Sequence, residues 1–375
     1  MISKQKVLLF NPRSANFKYR LPNSLLAVAA AIDNNYEWVI VDGNRENDPE
    51  QKILNYLNTG EFAFFGLTVM PGPQLKQAIP ISKKAKELFP HLTIIWGGYF
   101  ASNQPETVLH SGFVDFIING MGDKAFPELL NLITTQGNHF YEKLPLTQIP
   151  HNLIYKQNGE LVFTAKDGIY NPDELPDFPY HKLHQQYDIP KYLGNTYLGN
   201  KTIAYHSSFG CPFTCSFCAV VPIYNARWKG KSATNIYREI KYLKDNFGGD
   251  SIEFHDNNFF VSEKRTVEFS ELIMNDNMVW WGEGRIDTID KYSDASLEKM
   301  RKSGCKMIFF GAETGNDEML KQMDKGGTQS AAQIKKFAAR MAKFDIIPEY
   351  SFVLGTPADT PEKVMEQIDK DIAFI

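Results

Sequence analysis

The sequence predicts an α/β protein with an N-terminal doubly wound parallel sheet followed by a partial TIM-like α/β barrel. Three observations indicate this: short apolar runs of strand length, helix-period segments between them, and a return of that alternation after a proline-rich stretch. A chain of 375 residues is also too long for one ordinary hydrophobic core. We expect residues 1–140 to form the first domain, 141–200 a linker and 201–375 the second domain.

Five apolar runs in the first domain each end at turn residues, and helix-period segments separate them. Strands that are apolar throughout and alternate with helices indicate a parallel sheet covered on both faces. Ligands of such sheets bind beyond the carboxyl ends of the strands, so we expect the turn residues to line a ligand site. The runs are Lys6–Phe10, Trp38–Val41, Phe62–Val69, Leu92–Trp96 and Val114–Ile118, and the helical segments include Ser24–Ile32, Leu75–Leu88 and Ala125–Ile133.

The middle of the chain does not show the strand–helix alternation of the two flanking domains. Asn152–Ala165 contains Asn158-Gly159 between two short apolar runs, which predicts a β-hairpin. Four prolines then fall within 171–190, which is typical of an ordered linker.

The second domain is predicted to hold five strand–helix units before the chain ends, so we expect a partial barrel from a longer protein. Its predicted strands are Thr202–Ser207, Ser251–His255, Val279–Gly282, Met307–Gly311 and Ile347–Leu354. Its predicted helices are Asn235–Asn246, Glu263–Asn275, Ala295–Ser303, Ala331–Lys343 and Pro361–Ile375.

Net charge and composition exclude some classes of function. A formal net charge of −4 gives no basic footprint for non-specific nucleic-acid binding. The chain has no secretory leader pattern and no apolar run of about 18 residues, so we expect a cytoplasmic protein without a transmembrane segment. A lipid-like substrate stays open, because an enzyme can meet a membrane without spanning it.

Three of the four cysteines fall within eight residues, a spacing that suits metal ligands better than disulfides. Cys211, Cys215 and Cys218 follow a predicted strand, and three thiolates on one loop can bind three irons of a [4Fe–4S] cluster, leaving the fourth open to an external ligand. A Cys3His zinc site with His206 is the alternative, although that histidine lies in the strand. Cys305 is expected to be a packed core thiol.

The pattern Cys211-x3-Cys215-x-Phe217-Cys218 resembles the signature of the radical S-adenosylmethionine (SAM) superfamily. The resemblance implies that the cluster passes an electron into the sulfonium of SAM, which cleaves to methionine and a 5′-deoxyadenosyl radical. It also implies that the backbone at Phe217 meets the adenine.

Four further segments resemble that superfamily's strand ends, in the expected order. Their implied roles are contacts to the methionine amino group, to its carboxylate, to the cofactor in general and to the adenine. The residues concerned are, in that order, Asp256 with Asn257 as second choice, Arg285, Glu313, and Ser351 with Gly355.

The N-terminal domain resembles that of the cobalamin-binding subgroup of the superfamily. Trp96-Gly97-Gly98-Tyr99 and the turn at Gly120 carry this likeness, and Thr68 and Val69 are expected near the corrin edge. The Asp-x-His-x-x-Gly element that supplies a histidine to cobalt is absent, and His91, His110 and His139 stand in other contexts. Two interpretations stay open: cobalamin bound without a protein histidine, or a scaffold that binds nothing. A dinucleotide site is disfavoured because Asn11-Pro12-Arg13-Ser14 replaces a Gly-x-Gly-x-x-Gly element.

These observations predict a radical SAM enzyme that uses cobalamin to methylate an unactivated carbon. A radical cyclase or rearranging enzyme and a non-catalytic cofactor-binding module are the alternatives. A methylthiotransferase is disfavoured, because only Cys305 remains for a second cluster. The expected partners are a small-molecule or lipid-like substrate and a reductant such as flavodoxin or ferredoxin.

Overall fold

The computed structural model describes residues 5–14, 19–325 and 329–375. The chain divides into two units, Met1–Tyr170 with Glu174–Tyr192, and Asn171–Asp173 with Leu193–Ile375. The segment 141–200, for which the sequence predicts a linker, is therefore shared between the units, and most of it folds with the first.

The first unit contains a seven-stranded sheet. Its strands are β1 (Lys6–Asn11), β2 (Glu37–Asp42), β3 (Phe62–Thr68), β4 (Thr93–Gly97), β5 (Phe116–Ile118), β6 (Leu153–Gln157) and β7 (Glu160–Phe163). The order is β2-β1-β3-β4-β5-β6-β7, with β1 to β5 parallel and the hairpin β6–β7 added antiparallel at one edge. The parallel part has the doubly wound order with its switch point between β1 and β3, which confirms the predicted fold class.

Helices connect the strands of this sheet and pack against it. They are α1 (Asn23–Ile32), α2 (Pro49–Leu57), α3 (Leu75–Leu88), α4 (Tyr99–Asn103), α5 (Pro105–His110), α6 (Ala125–Gln136) and α7 (Tyr180–Gln186). The start of α2 shows the local cause: Asp48 accepts a hydrogen bond from the Gln51 amide, and Pro49 supplies a helical φ in the first turn. Phe65 and Trp96, both buried, belong to the hydrophobic core that these helices close.

The second unit is a five-stranded parallel sheet with a small two-stranded addition. Its strands are β8 (Thr202–Tyr205), β9 (Ser208–Gly210), β10 (Trp228–Gly230), β11 (Ser251–Phe254), β12 (Val279–Gly284), β13 (Cys305–Glu313) and β14 (Ile347–Phe352). The large sheet has the order β14-β13-β12-β11-β8, and β9 pairs antiparallel with β10. Successive parallel strands lying side by side confirm the partial barrel architecture.

The helices of the second unit follow its strands in turn. They are α8 (Val221–Tyr224), α9 (Ala233–Phe247), α10 (Glu263–Ile273), α11 (Ile286–Ile289), α12 (Asp294–Lys302), α13 (Asp317–Gln322), α14 (Ala331–Met341) and α15 (Pro361–Phe374). Serine side chains cap α9, α10, α12 and α14 at their first turns. An aromatic cluster of Phe254, Phe259, Phe269 and Trp280 joins the sheet to α10. Within the described ranges, no helix has the length and apolar character needed to cross a membrane.

Candidate active site

The cysteine loop begins at the carboxyl edge of the second unit's sheet. Gly210 ends β9 with a φ of +75°, a conformation that favours glycine, and Cys211 follows it directly. Cys215 is buried, whereas Cys211 and Cys218 are half-buried. The Cys218 amide donates to the Cys215 carbonyl at 3.1 Å, so the last two cysteines lie on one tight turn. The loop thus holds its three thiols beside the edge where ligands of parallel sheets bind.

Arg285, at the carboxyl end of β12, connects the cysteine loop to the next strands. Its Nη1 donates to Cys215 Sγ at 3.2 Å, and its Nε and Nη2 form a fork onto the Asp287 carboxylate at 2.9 and 2.8 Å. The guanidinium also lies 3.8 Å from the Phe213 ring centroid. A buried guanidinium in this position stabilises negative charge on a cysteine sulfur, which suits a thiolate ligand.

The donor set of the loop fits a multi-iron cluster better than a single ion. A cubane takes one thiolate per iron, so its ligands stand farther apart than those of one zinc. Among residues 5–14, 19–325 and 329–375, no group of three His, Cys, Asp or Glu side chains is placed to hold one metal ion. The His206 ring lies beside the His255 ring, tilted by 38°, with ring centroids 5.8 Å apart. The described residues therefore do not assemble the alternative Cys3His zinc site.

Burial raises the pKa of the Cys211 thiol, and the Asn258 amide and the Arg285 guanidinium act in the opposite direction. Iron displaces that proton when it binds, so loading the cluster is coupled to pH. Cys305 lies in the core at the start of β13, where burial raises the pKa of its thiol far above the ordinary value. It is distant from the loop in sequence and inert by burial, as the sequence indicates.

Asp256 has a different set of partners from the one that the resemblance implies. Its fully buried carboxylate accepts hydrogen bonds from the Ser207 amide at 3.1 Å, from the Ser207 hydroxyl at 2.8 Å and from the Ser208 hydroxyl. Arg265 donates to the Ser207 carbonyl at 3.2 Å from the other side. Asp256 thus fixes the backbone that leads into the cysteine loop, and its contact to the methionine amino group remains a prediction.

Asn258 is the site residue that sequence reasoning missed. It is almost fully buried, and its Nδ2 points at Cys211 Sγ across 3.9 Å. Its Oδ1 is buried and has no hydrogen-bond partner within the described part of the chain. A buried acceptor without a donor calls for a ligand, and an ammonium group such as that of methionine would satisfy it. The neighbouring Asn257, the second choice of the sequence analysis, is half-buried.

Glu313 lies at the end of β13 and is tied to the same group of residues. Its backbone has a φ of +67°, rare for a residue with a side chain, where the pairing of β13 with β14 is irregular. Its buried carboxylate pairs with Lys325 Nζ at 2.6 Å, and the Lys325 carbonyl accepts from Arg285 Nη2 at 2.8 Å. Strained backbone of this kind gathers at functional sites, which supports the predicted cofactor contact.

The segment 322–325 clamps the cysteine loop, a feature with no signal in the sequence. Thr214 Oγ1 donates to Asp324 Oδ2 at 2.6 Å, and the Ser216 amide donates to the Met323 carbonyl at 3.0 Å. Phe217 stays exposed on the loop, with the Lys325 ammonium 6.0 Å from its ring centroid.

Ser351 and Gly355 lie on and beyond β14, at the same edge of the sheet. Ser351 is half-buried, and its Oγ donates to the Phe310 carbonyl at 3.5 Å. Gly355 is exposed in the loop after the strand, with a φ of +77°. The structure thus brings Cys215, Arg285 and Glu313 into one connected group, while these two positions share the edge with it.

In the first unit, the predicted cobalamin residues gather at the carboxyl ends of β3, β4 and β5. The Val69 amide donates to the Gly97 carbonyl at 2.9 Å, and Thr68 accepts from the Ser24 hydroxyl at 3.2 Å. Gly98 has a φ of +88°, and a Cβ there would lie 2.8 Å from the Val69 backbone. Gly120 also has a positive φ, +103°. At these tight glycine turns no side chain covers the backbone, so a large ligand can approach the edge closely.

The three histidines named above lie away from this edge. His91 precedes β4, His110 ends α5 before β5, and His139 follows α6. All three are therefore near the amino ends of the strands, because helices return the chain to that side. These three histidines are therefore not among the residues of the edge that would hold cobalamin.

Two family models match the chain and together cover both units. The model described as the radical SAM superfamily matches residues 205–370, and the model described as the B12 binding domain matches residues 15–130. They confirm the predicted family and the predicted cofactors, a [4Fe–4S] cluster, SAM and cobalamin.

Curated relatives and a solved structure agree with these domains. An uncharacterized methyltransferase of Pyrococcus horikoshii is 26% identical over 348 residues, covering 92% of this chain and 71% of the relative. An anaerobic magnesium-protoporphyrin IX monomethyl ester cyclase of Rubrivivax gelatinosus is 25% identical, covering 88% of this chain and 57% of the relative. The structure of OxsB, a cobalamin-dependent SAM radical enzyme with aqua-cobalamin bound, superimposes with a TM-score of 0.79 at 16% identity. It covers 99% of this chain and 52% of OxsB.

The likeness to OxsB shows the fold, and the two family models identify the domains. The chain spans between about half and three quarters of the length of these three proteins. The chain therefore carries a B12-binding domain followed by a radical SAM domain, the two domains that the sequence predicts in that order.

Proposed function

We propose that this chain is a cobalamin-dependent radical SAM methyltransferase that acts on an unactivated carbon. The observation that carries the proposal is the joint presence of a three-cysteine loop with a buried arginine on one thiol and a matched B12-binding domain. When bound, these cofactors supply a 5′-deoxyadenosyl radical and a transferable methyl group.

The chain's own residues bind and orient. Cys211, Cys215 and Cys218 would hold three irons of the cluster, and Arg285 would stabilise negative charge on the Cys215 sulfur. Asn258 Oδ1 would accept a hydrogen bond from the methionine ammonium, and Asp256 keeps the loop in place through Ser207 and Ser208. Thr68, Val69, Gly97, Gly98 and Gly120 form the edge that binds cobalamin.

The same proposal includes the compartment, the reductant and the class of substrate. The protein works in the cytoplasm and receives electrons from flavodoxin or ferredoxin. Its substrate is a small or lipid-like molecule.

The experiment uses SAM with a deuterated methyl group and needs no substrate. Anaerobically reconstituted protein is incubated with cobalamin, a one-electron reductant and the labelled SAM, and protein-bound cobalamin is analysed by mass spectrometry. We expect methylcobalamin that carries the label. Cobalamin retained by the protein without any labelled methyl would contradict methyl transfer.

A second candidate is a radical cyclase of the same architecture, favoured by the likeness to the protoporphyrin ester cyclase. A cyclase of this architecture would also use both cofactors, but its product would not contain the methyl group of SAM. The labelled-methyl experiment therefore separates the two candidates.

A further inference from the structure

The segment that follows the β6–β7 hairpin returns the chain to the carboxyl end of β5. Strand β6 pairs antiparallel with β5, and β7 pairs antiparallel with β6. Just beyond β7, Lys166 Nζ donates to Asn119 Oδ1 at 3.2 Å. Asn119 follows β5 directly and precedes Gly120, one of the residues expected to line the cobalamin edge. The Lys166 ammonium group therefore lies at that edge.

Asn152 fixes the position of this lysine. Its amide donates to the Ala165 carbonyl at 2.8 Å, and its Oδ1 accepts from the Asp167 amide at 2.9 Å. Its carbonyl accepts from the Asn119 amide at 2.7 Å. Asn152 is buried, and its φ of +60° is one that asparagine adopts more readily than most residues. The backbone on both sides of Lys166 is thus bonded to the same residue as the end of β5.

The surroundings of Lys166 favour an anionic ligand. The side chain is half-buried, and burial lowers the pKa of its ammonium group. The neighbouring Asp167 carboxylate has other partners: its Oδ1 lies 2.7 Å from His151 Nδ1, and its Oδ2 accepts from the Tyr170 hydroxyl at 2.6 Å. An ammonium group that has lost part of its water attracts an anion more strongly, because the two charges are less screened.

Charged side chains are scarce along the carboxyl ends of β3, β4 and β5. Residues 69–74, which follow β3, and residues 98–104, which follow β4, contain none. In the segment after β5, Lys124 is exposed, with its Nζ 4.4 Å from the Tyr170 ring centroid. Lys166 therefore supplies the half-buried positive charge of this part of the edge.

Arg13, which follows β1, serves the other end of the edge. Its Nε donates to the Gly43 carbonyl at 2.8 Å, and its Nη2 donates to the Glu46 carbonyl at 2.6 Å. Its amide donates to Gln77 Oε1 at 2.8 Å. These bonds direct the guanidinium at the backbone of the turn after β2, so Arg13 is a weaker candidate than Lys166 for an anionic ligand.

Cobalamin carries an anionic group that the edge has to accommodate. The side chains of its corrin ring end in uncharged amides, whereas the loop that links the ring to its nucleotide contains a phosphodiester. Uncharged turns suit the amides. A lysine ammonium, with three N–H donors and a full charge, suits the phosphate oxygens.

We infer that Lys166 binds the phosphodiester in the nucleotide loop of cobalamin, at the carboxyl end of β5. This inference rests on the proposed function, because cobalamin is a cofactor of that reaction. Lys166 lies beyond residues 15–130, which the B12-binding model matches, so the segment after the hairpin adds a contact of its own to that domain. A corrinoid without a phosphate is accordingly a weaker ligand.

The test measures the binding of three corrinoids to the full chain by equilibrium dialysis. They are cobalamin, cobinamide phosphate, which keeps a phosphate but has no nucleoside, and cobinamide, which has neither. All three are used in their dicyano forms, so that cobalt carries the same ligands in each. We expect the parent protein to bind cobalamin and cobinamide phosphate at least about tenfold more tightly than cobinamide, because both can form a charge-assisted hydrogen bond.

Variants of the lysine show whether this preference depends on its charge. Lys166→Met is expected to weaken the binding of cobalamin and cobinamide phosphate about tenfold and to bind cobinamide as the parent does. Lys166→Arg keeps the charge and is expected to keep most of the preference. Lys156→Met removes an exposed lysine of β6 and is expected to bind all three corrinoids as the parent does.

Two results would overturn the inference alone. One is equal affinity of the parent protein for cobinamide and cobinamide phosphate, a comparison that stays valid if the Lys166→Met variant does not fold. The other is a Lys166→Met variant that binds all three corrinoids more weakly by the same factor, since the lysine would then only support the fold through Asn119.

This experiment is independent of the radical chemistry. It needs no cluster, SAM or turnover, so failure of the methyl-transfer experiment leaves its outcome readable. A parent protein that binds none of the three corrinoids would overturn the inference together with the cobalamin dependence of the proposed function.

Discussion

Asn258 and Asp256 stand two positions apart, and the structure gives them different tasks. The resemblance favours Asp256 as the cofactor contact, because the segment that it resembles often carries acidic residues beside the methionine amino group. The direction of side chains in the loop after β11 is set by Ser207, Ser208 and Arg265, residues distant in sequence. That information is not local, so a motif alone does not reveal that Asn258 is the residue with the open acceptor.

Replacing Asn258 by alanine is expected to raise the Kd for SAM about tenfold, because a buried acceptor for the ammonium group is lost. Iron content per chain should stay near the parent value, since the three cysteines are unchanged. Equilibrium binding of SAM to the reconstituted protein measures the first quantity, and metal analysis the second.

Asn257→Ala is the matched control, since it removes the same group one position earlier. We expect its SAM affinity to stay close to that of the parent protein. Weak binding by the Asn257 variant with normal binding by the Asn258 variant would reverse the assignment in favour of Asn257, the second choice made from the sequence.

His206 gives the protein a pH dependence that can be measured. Desolvation by the surrounding protein and the neighbouring His255 lower its pKa from 6.5 to about 4, although the residue keeps an exposed surface, so the folded state holds this ring neutral. In the unfolded chain the ring binds a proton below about pH 6.5. The free energy of unfolding is therefore expected to fall as the pH drops from 6.5 toward 4.

His206→Gln is expected to make that fall smaller. The measurement is the urea midpoint at pH 7 and at pH 5 for both proteins. His181→Gln, a change at an exposed position of α7, should keep the parent difference between the two pH values. An identical pH response of the parent and the His206 variant would show that this ring is not held neutral by the fold.

At the scale of elements, the sequence predicts well those helices whose apolar residues recur at a regular spacing. Leu75–Leu88 is predicted and found as α3 over the same residues, because its apolar positions recur at helical spacing. Strand β13 is longer than the predicted Met307–Gly311 and runs from Cys305 to Glu313. Its extension passes through an irregular pairing and a positive φ at Glu313, which only the tertiary setting stabilises.

The proline-rich part of the middle segment makes contacts that its local sequence does not predict. The proline-rich stretch folds onto the first unit through contacts to β2: Gln186 Oε1 accepts from the Ile40 amide at 2.8 Å, and Tyr192 donates to the buried Asp42 at 2.8 Å. These partners are about 150 residues apart in the chain, so composition, which predicts an ordered linker, does not reveal these contacts.

The segment 322–325 acts as an element that holds the cysteine loop, and it makes a separate prediction. Thr214→Val removes the hydrogen bond to Asp324 and is expected to cost about 1 kcal/mol of stability. We expect the cluster to be lost up to about fivefold faster, since 1 kcal/mol corresponds to roughly that factor. Decay of the cluster's visible absorbance measures the rate.

Thr356→Val is the control for this variant. Thr356 donates to Gln367 at 2.7 Å, in the loop before α15, and takes no part in the contacts of the cysteine loop. Its loss should leave the decay rate of the cluster unchanged. Equal acceleration in both variants would mean that general destabilisation, and not the clamp, controls the cluster.

At the scale of the whole molecule, two sheets carry two cofactor edges in one chain. The doubly wound order and the five parallel strands of the partial barrel follow from the alternation of apolar runs and amphipathic helices, which the sequence displays throughout. The roles of the two units follow from short motifs: a cysteine loop in the second and bare glycine turns in the first. The neighbourhood of His206, His255 and Glu283 is different, because only the strand register brings these three distant residues to the same side of the sheet.

The most direct test of the central claim is the formation of 5′-deoxyadenosine. The full chain is reconstituted anaerobically with iron and sulfide, reduced in the presence of SAM, and analysed by mass spectrometry beside a variant with Cys211, Cys215 and Cys218 all changed to alanine. We expect 5′-deoxyadenosine from the parent protein and none from the variant. An intact cluster in the parent protein with no 5′-deoxyadenosine above the variant's background would contradict radical chemistry by this chain.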